Sequence, residues 1–165
     1  MITSLTSSET LTSKQIKLDL HHLRQAFLVA LDRSKDPSTK VAAIILAPDG
    51  RKMSCGYNGM VTGASESEEL WLDRDWKIRR VVHAELNSIL NCPFETAGCT
   101  IYCTLHPCAQ CLKLLIQAGI KRVVHYGEPW ERDPDWDVLL ELQHMVVITR
   151  YDDDSIIEGL KELYK

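Results

Sequence analysis

Apolar side chains recur every three or four residues close to the start of the chain. This spacing places them on one face of a helix and predicts an amphipathic helix over residues 13–34, which Thr12 and Gln15 would begin as a capping box. The side chains that form the stripe are Leu20, Leu23, Phe27 and Leu31. The preceding segment is rich in Ser and Thr and lacks such a pattern, so we expect a flexible tail over residues 1–13.

Beyond this helix, short apolar runs alternate with segments of helical periodicity. KVAAIILAPDG and RKMSCGYNG predict a hairpin, and CTIYCTL, KRVVHYG and MVVITRY predict three more strands. Helices are predicted over 83–92 and 108–118, after Asp133-Pro134, and around Ile156, Leu160 and Leu163. This alternation predicts a single domain over residues 14–165 with a three-layer α/β/α fold. Its central sheet would be mixed and five-stranded, because the opening hairpin precedes strands that run parallel.

Residues 59–80 form a connection that is longer than most links between secondary-structure elements. We expect it to contain a short helix that uses Trp71 and Trp76.

Composition narrows the class of protein. The chain has 165 residues, 45% of them hydrophobic and 25% charged, as in an ordinary globular domain. Its net charge of −4 argues against a nucleic-acid partner, and no apolar run is long enough to span a membrane. The N-terminus lacks the pattern of a secretory signal, so the six cysteines favour metal-binding or buried thiols over disulfides. We therefore expect a cytoplasmic protein.

The stretch PCAQC places Cys108 and Cys111 at the start of a predicted helix. Two thiolates at this spacing can bind one metal ion, and a helix N-terminus stabilises their charge. Taken alone, the pair would also suit a redox centre or half of a structural zinc site with four cysteines. The four-cysteine site would need a second C-x-x-C, which the chain does not contain.

His83 and Glu85 open the preceding predicted helix. The order H-x-E followed by P-C-x-x-C matches the signature of zinc-dependent nucleobase deaminases. One imidazole and two thiolates give zinc three protein ligands and leave its fourth position for water, as a catalytic site requires. Glu85 would then be free to move protons. The alternative interpretation is a capping histidine and a surface glutamate beside a chance C-x-x-C.

The stretches HAELNSIL, HPCAQC and KLLIQAGIKRVV resemble the core of the deoxycytidylate (dCMP) deaminases, within the cytidine deaminase superfamily. The resemblance continues upstream into SKDPSTKVAAIIL and CGYNGM. H-x-E with P-C-x-x-C specifies only the superfamily, whereas GYNG between the first hairpin and the HAE helix points to dCMP. The fold that the resemblance implies is the cytidine-deaminase-like one.

The resemblance also implies a reaction and a set of ligands. Zn²⁺ would bind to His83, Cys108 and Cys111, and dCMP would be hydrolysed to dUMP and ammonia, which supplies thymidylate synthesis. The catalytic residue would be Glu85, which would pass a proton from the zinc-activated water to N3 of cytosine and then one to the leaving amine.

Further expectations concern the nucleotide and its regulation. The resemblance implies that Asn58 and the backbone N–H of Ala84 contact the substrate. It also implies a homo-oligomer, with a hexamer favoured, activation by dCTP with Mg²⁺, and inhibition by dTTP. Lys35, Ser38 and Lys40 lie in the loop before the first predicted strand and are candidates for the phosphate, although solvated loop residues are the alternative.

The sequence departs from the family at two informative places. The proline usual in GYNGxP is Val61 here. Some relatives carry a second, structural zinc site between GYNG and HAE, but residues 59–82 contain no Cys or His. We therefore predict one zinc ion per subunit.

Other functions remain open at this point. A deaminase that acts also or mainly on dCTP differs only in the phosphates that its pocket admits. A tRNA adenosine deaminase shares both motifs, but its polyanionic substrate would favour a basic surface. A non-catalytic, zinc-stabilised nucleotide sensor would have no need of the carboxylate of Glu85.

Overall fold

A computed structural model of the chain describes residues 2–4 and 11–161. Strands and helices alternate along most of this length. The strands are β1 (Ile2–Ser4), β2 (Ala42–Leu46), β3 (Met53–Tyr57), β4 (Gly59–Met60), β5 (Val81–Val82), β6 (Thr100–Cys103), β7 (Arg122–Tyr126) and β8 (Val147–Tyr151). The helices are α1 (Ser13–Arg33), α2 (Glu68–Leu72), α3 (Arg74–Ile78), α4 (Ala84–Leu90), α5 (Ala109–Gln117), α6 (Trp136–Leu142) and α7 (Ser155–Lys161).

The central sheet has the strand order β1-β8-β7-β6-β2-β3. Strand β2 pairs antiparallel with β3 and β6, whereas β6, β7 and β8 are parallel. The predicted mixed sheet of five strands is thus confirmed. Strand β1 adds an antiparallel sixth strand beside β8, within the segment predicted as a tail. Its three residues are too few to show a pattern, and residues 5–10 of that segment lie outside the described residues.

Two apolar layers enclose the sheet, as the three-layer prediction requires. On one face, α1 covers a core that includes Leu23, Ile44 and Val124. On the other face, α5 buries Leu112 and Leu115 against the sheet. Strands buried on both faces explain why AAIIL is a continuous apolar run.

The predicted first helix is confirmed, with Thr12 as its N-cap. The hydroxyl of Thr12 accepts a hydrogen bond from the Gln15 amide at 3.2 Å. The second half of the predicted capping box does not form, because the Gln15 side chain donates to Asp19 instead. Asp19 is fully buried and also pairs with Arg122 through both carboxylate oxygens, at 2.7 and 2.6 Å.

The later helices begin one to three residues after their predicted starts. His83 and Cys108 precede α4 and α5 as N-cap residues with extended backbones. Helix α6 begins at Trp136 rather than after Asp133, because the Asp133 carboxylate is bound to α5. The connection 59–80 contains two short helices, α2 and α3, and the β4–β5 pair. In the described part of the chain, every helix is too short or too polar to cross a membrane.

Candidate metal centre and substrate site

Helices α4 and α5 bring the three predicted metal ligands together. His83 and Cys108 are their N-cap residues, and Cys111 lies one turn into α5. Neither N-cap side chain caps its own helix. The thiols of Cys108 and Cys111 lie 3.5 and 3.3 Å from His83 Nδ1, and the three ligand atoms lie within 4.8 Å of one another. Within the described residues, this is the one group of His, Cys and acidic side chains close enough to hold a metal ion.

The donor set fits zinc. Tetrahedral zinc with typical Zn–N and Zn–S bonds separates nitrogen and sulfur ligands by about 3.5 Å, which agrees with the observed 3.5 and 3.3 Å. Zinc favours this mixture of imidazole and thiolate ligands. His83 is exposed whereas Cys111 is buried, so the cluster is open to solvent on the imidazole side. This leaves room for a fourth, non-protein ligand.

Hydrogen bonds within the cluster favour the thiolate form of Cys108. A hydrogen bond from Cys111, and a further one with His83, lower the pKa of Cys108 to about 4 despite its burial. The pKa of Cys111 is raised, because its thiol proton is held by Cys108 and its surroundings are buried. The hydrogen bond with Cys108 also raises the pKa of His83. A divalent cation would replace the shared protons and hold both sulfurs as thiolates.

Glu85 lies beside the three ligands and is buried, with 5% of its surface exposed. Burial raises the pKa of its carboxyl, and hydrogen bonds from its own amide and from Cys111, together with the nearby His83, offset part of that rise. Ala84 precedes it as the first residue of α4 and is completely buried. The prediction that His83 and Glu85 point to one site is therefore consistent with their placement on either side of the helix start.

Close contact between α4 and β3 depends on Gly56. A Cβ atom at this position would lie 2.2 Å from the Ser88 nitrogen and 2.5 Å from the Ala84 oxygen. The side chains of Ser54 and Asn87 tie the same two elements together, through hydrogen bonds of 3.0 Å to the Ser88 carbonyl and 2.8 Å to the Tyr57 carbonyl. Gly56 was missed by the sequence analysis, which used CGYNGM only as a family motif.

Asn58 follows β3 and is buried, but its amide is fully engaged within the protein. Its Oδ1 accepts hydrogen bonds from Ser34 Oγ at 2.6 Å and from the Val41 amide at 2.9 Å. Its Nδ2 donates to the Thr39 carbonyl at 2.9 Å and to Asp36 at 3.4 Å. An amide offers two donors and two acceptor sites. A substrate contact through this side chain therefore requires the exchange of one present partner.

The three phosphate candidates also have partners. Lys35 pairs with Glu66. The ammonium group of Lys40 donates to the Ser34 carbonyl at 2.7 Å, near the end of α1. Ser38 donates its hydroxyl proton to Asp36 and accepts from Lys77 at 2.7 Å.

Lys77 is a polar residue that the sequence analysis did not single out. It comes from α3, is 9% exposed, and forms an ion pair of 3.1 Å with the buried Asp36. Because Asp36 also contacts Asn58, this pair joins the 59–80 connection to the loop before β2. A lysine within a charged stretch gives no pattern that predicts burial.

Two buried histidines pack against each other, and one of them, His106, is two residues before Cys108. The rings of His106 and His125 meet edge to face, with centroids 4.5 Å apart. His106 Nδ1 contacts the Pro107 carbonyl at 2.7 Å. Burial, and then the neighbouring His106, lower the pKa of His125 to about 3.

A cavity of about 260 Å³ opens beside α4 and the end of β3. Its lining includes Arg33, Lys35, Tyr57, Asn58 and Asn91. The Arg33 guanidinium lies over the Tyr57 ring, 5.6 Å from its centroid. Glu66, the ionic partner of Lys35, also lines the cavity, so Arg33 is its uncompensated cation among the lining residues named here.

Comparison with known proteins agrees with this site. The family described as the cytidine and deoxycytidylate deaminase zinc-binding region matches residues 16–127, which include all three candidate ligands. The deoxycytidylate deaminase of Pongo abelii is 41% identical over 111 residues, which are 64% of this chain and 62% of that protein. The chain thus spans less than two thirds of that relative's length.

Two further relatives cover more of the chain. ComE operon protein 2 of Bacillus subtilis (strain 168) is 37% identical over 156 residues, which are 92% of this chain and 80% of that protein. The crystal structure of dCMP deaminase from the cyanophage S-TIM5, in complex with dCMP and dUMP, superposes with a TM-score of 0.65 at 26% identity. That match covers 86% of this chain and 100% of the phage protein.

Proposed function

Because the chain belongs to the cytidine and deoxycytidylate deaminase family, we propose that it hydrolyses dCMP to dUMP and ammonia and so supplies dUMP for thymidylate synthesis. The observation that carries the proposal is the convergence of His83, Cys108 and Cys111 beside the buried carboxyl of Glu85. These three residues would hold one zinc ion per subunit. When bound, zinc supplies a Lewis acid that makes water a nucleophile near neutral pH.

Glu85 moves the protons of this reaction. Water adds to C4 of cytosine, N3 gains a proton, and the C4–N4 bond breaks to release ammonia and leave a carbonyl at C4. The Glu85 carboxyl takes a proton from the attacking water, delivers it to N3, and then transfers another to the leaving nitrogen. Its burial supports this role, because a general acid and base works best where bulk water does not compete for the proton.

The base and sugar phosphate would be held from two sides. The first N–H groups of a helix have no intrahelical partner, so the Ala84 amide is suited to donate to the base. Asn58 would contact the nucleotide after exchanging one of its present hydrogen bonds. Lys35, Ser38 and Lys40 remain our candidates for the phosphate. Their loop leads into the start of β2, where the Thr104 amide donates to the Ala42 carbonyl at 3.1 Å. Thr104 shortly precedes Cys108 in the sequence, which supports that assignment.

We also propose regulation by dCTP with Mg²⁺ as activator and dTTP as inhibitor. The cavity that Arg33 lines supports this idea, because a guanidinium group suits a phosphate. Replacing Arg33 by Gln should weaken inhibition by dTTP and leave the zinc content unchanged. We expect a cytoplasmic homo-oligomer, with a hexamer favoured, and light scattering of the purified protein would measure its mass.

Ammonia release by zinc-loaded protein tests the function. Deoxycytidine, dCMP and dCTP would be compared, each with and without dTTP. Turnover of dCMP alone, suppressed by dTTP, is the expected result, whereas turnover of dCTP as well would widen the substrate class. Absence of turnover with all three would refute the proposal. E85Q should keep its zinc and lose turnover, and this result would also exclude a non-catalytic sensor.

A further inference from the structure

The N-terminus of helix α5 lacks a cap from its own N-cap residue. Cys108 holds that position with φ −67° and ψ 167°, but it makes no side-chain capping bond. Its thiol is turned instead towards His83 and Cys111. The first N–H groups of a helix need partners from elsewhere when the N-cap side chain does not provide one.

Asp133 supplies the missing cap from the connection between β7 and α6. One of its carboxylate oxygens accepts a hydrogen bond of 3.0 Å from the Ala109 amide, the residue directly after Cys108. The other oxygen accepts a bond of 2.9 Å from the Asp135 amide. With 8% of its surface exposed and both oxygens engaged, this carboxylate has a defined orientation.

The position of Asp133 suits the metal centre electrostatically as well. A negative charge beside the first turn of a helix is favourable, because the helix dipole is positive there. Because this cap comes from a carboxylate elsewhere in the chain, both cysteine thiols remain available as metal ligands. Residues that orient metal ligands typically change metal affinity 10- to 100-fold when they are mutated.

We propose that Asp133 is a positioning residue for the metal centre, which caps α5 in place of Cys108 and thereby orients Cys108 and Cys111 towards the metal. The inference rests on the proposed function only in that it takes the cysteine cluster to bind zinc. It assigns no contact between Asp133 and the metal or the substrate.

Metal binding tests this role independently of turnover. D133N and D133A would be compared with wild type for zinc transfer to a chromophoric chelator and for the visible absorption of the Co²⁺-substituted protein. The matched control is D137N, which removes the same charge from an exposed position in α6. We expect zinc to be lost about 10-fold faster from D133N, faster still from D133A, and at the wild-type rate from D137N. We also expect a changed Co²⁺ spectrum in the two Asp133 variants alone.

A second variant removes the same hydrogen bond from the other side. Proline is tolerated at the first position of a helix and has no N–H group, so A109P deletes the donor to Asp133. If Asp133 acts through this bond, the double variant A109P/D133N should lose zinc no faster than the more affected single variant. Additive effects would overturn the proposal, as would wild-type zinc release and an unchanged Co²⁺ spectrum in D133N. Turnover of dCMP by the wild type, measured on the same preparations, separately decides the proposed function.

Discussion

Replacing Gly56 by alanine would place a methyl group inside the backbone of helix α4. The added Cβ would lie 2.2 Å from the Ser88 nitrogen, 2.5 Å from the Ala84 oxygen and 2.6 Å from the Asn87 carbonyl carbon. All three are backbone atoms, so no side-chain rotation can relieve the contact. The helix would have to move away from β3.

The structure sets the size of this movement. Ordinary van der Waals contact begins at 3.4 Å, so the shortest contact of 2.2 Å must lengthen by more than 1 Å. Overpacking of this kind typically costs about 1–3 kcal/mol, and we expect the upper end because rigid backbone opposes the methyl group. A misplacement of 1 Å at a catalytic site can lower turnover about 100-fold. Here the displaced helix begins with Ala84 and Glu85.

Urea unfolding and dCMP turnover of G56A, together with its zinc content, measure both effects. G59A is the matched control for stability, because a Cβ atom at Gly59 would meet nothing within 4 Å. Neither glycine has a positive φ, so steric contact alone should separate the two variants. If G56A had the unfolding free energy and turnover of wild type, close packing of α4 on β3 would not be what positions the site.

Three further predictions concern other parts of the molecule. D19N should lower the free energy of urea unfolding by about 3 kcal/mol, because the buried Asp19 loses its charge and the partly buried Arg122 loses its ionic partner, whereas D32N, at an exposed position of the same helix, should have little effect. His125 has a folded-state pKa of about 3 against an ordinary value of 6.5, so the unfolded chain gains a proton first and stability falls as the pH decreases from 6.5 towards 3. Urea unfolding should thus lose about 2 kcal/mol between pH 7 and pH 5 in wild type through this residue, and an equally steep loss in H125F would contradict the assignment. Removal of zinc by a chelator should abolish turnover and lower the melting temperature, both restored by added zinc, and full activity of the metal-free protein would contradict the role of the cluster.

The candidate metal ligands could be identified from the sequence because zinc chemistry restricts both residue type and spacing. Two short motifs supply all three residues, His83, Cys108 and Cys111. The structure brings their ligand atoms within 4.8 Å of one another. The alternating fold was predictable for a similar reason, since burial on both faces makes β2 continuously apolar. Both features depend on local sequence.

The residues that sequence analysis missed depend on contacts between distant parts of the chain. Gly56 is needed because a helix that begins at Ala84 lies directly against it. Lys77 is buried because Asp36, 41 residues earlier, accepts its hydrogen bond. Neither residue has a hydrophobic pattern or a motif spacing that would have indicated its role.

Asn58 illustrates a different limit of sequence reasoning. Its motif indicates a ligand contact, but its amide makes four hydrogen bonds that hold the loop before β2 against the end of β3. A polar residue at a strand end can bind a ligand or brace the loops that do, and residue type does not distinguish these roles. In the folded protein the amide of Asn58 braces the loop, and a ligand contact would have to replace one of its four partners.

The positions of the candidate ligands account for a helix cap that comes from a distant part of the chain. A side chain at an N-cap can bond to the backbone of its own helix or turn to another group, and the Cys108 thiol contacts His83 instead of capping α5. The capping interaction must then come from another segment, and Asp133 provides it across 24 residues of sequence. At α4 the N-cap residue His83 makes no side-chain capping bond either, and it is the exposed member of the cluster. The two helices that carry the candidate ligands therefore differ, because α5 receives its cap from a later segment of the chain, whereas the first turn of α4 bears the carboxyl of Glu85.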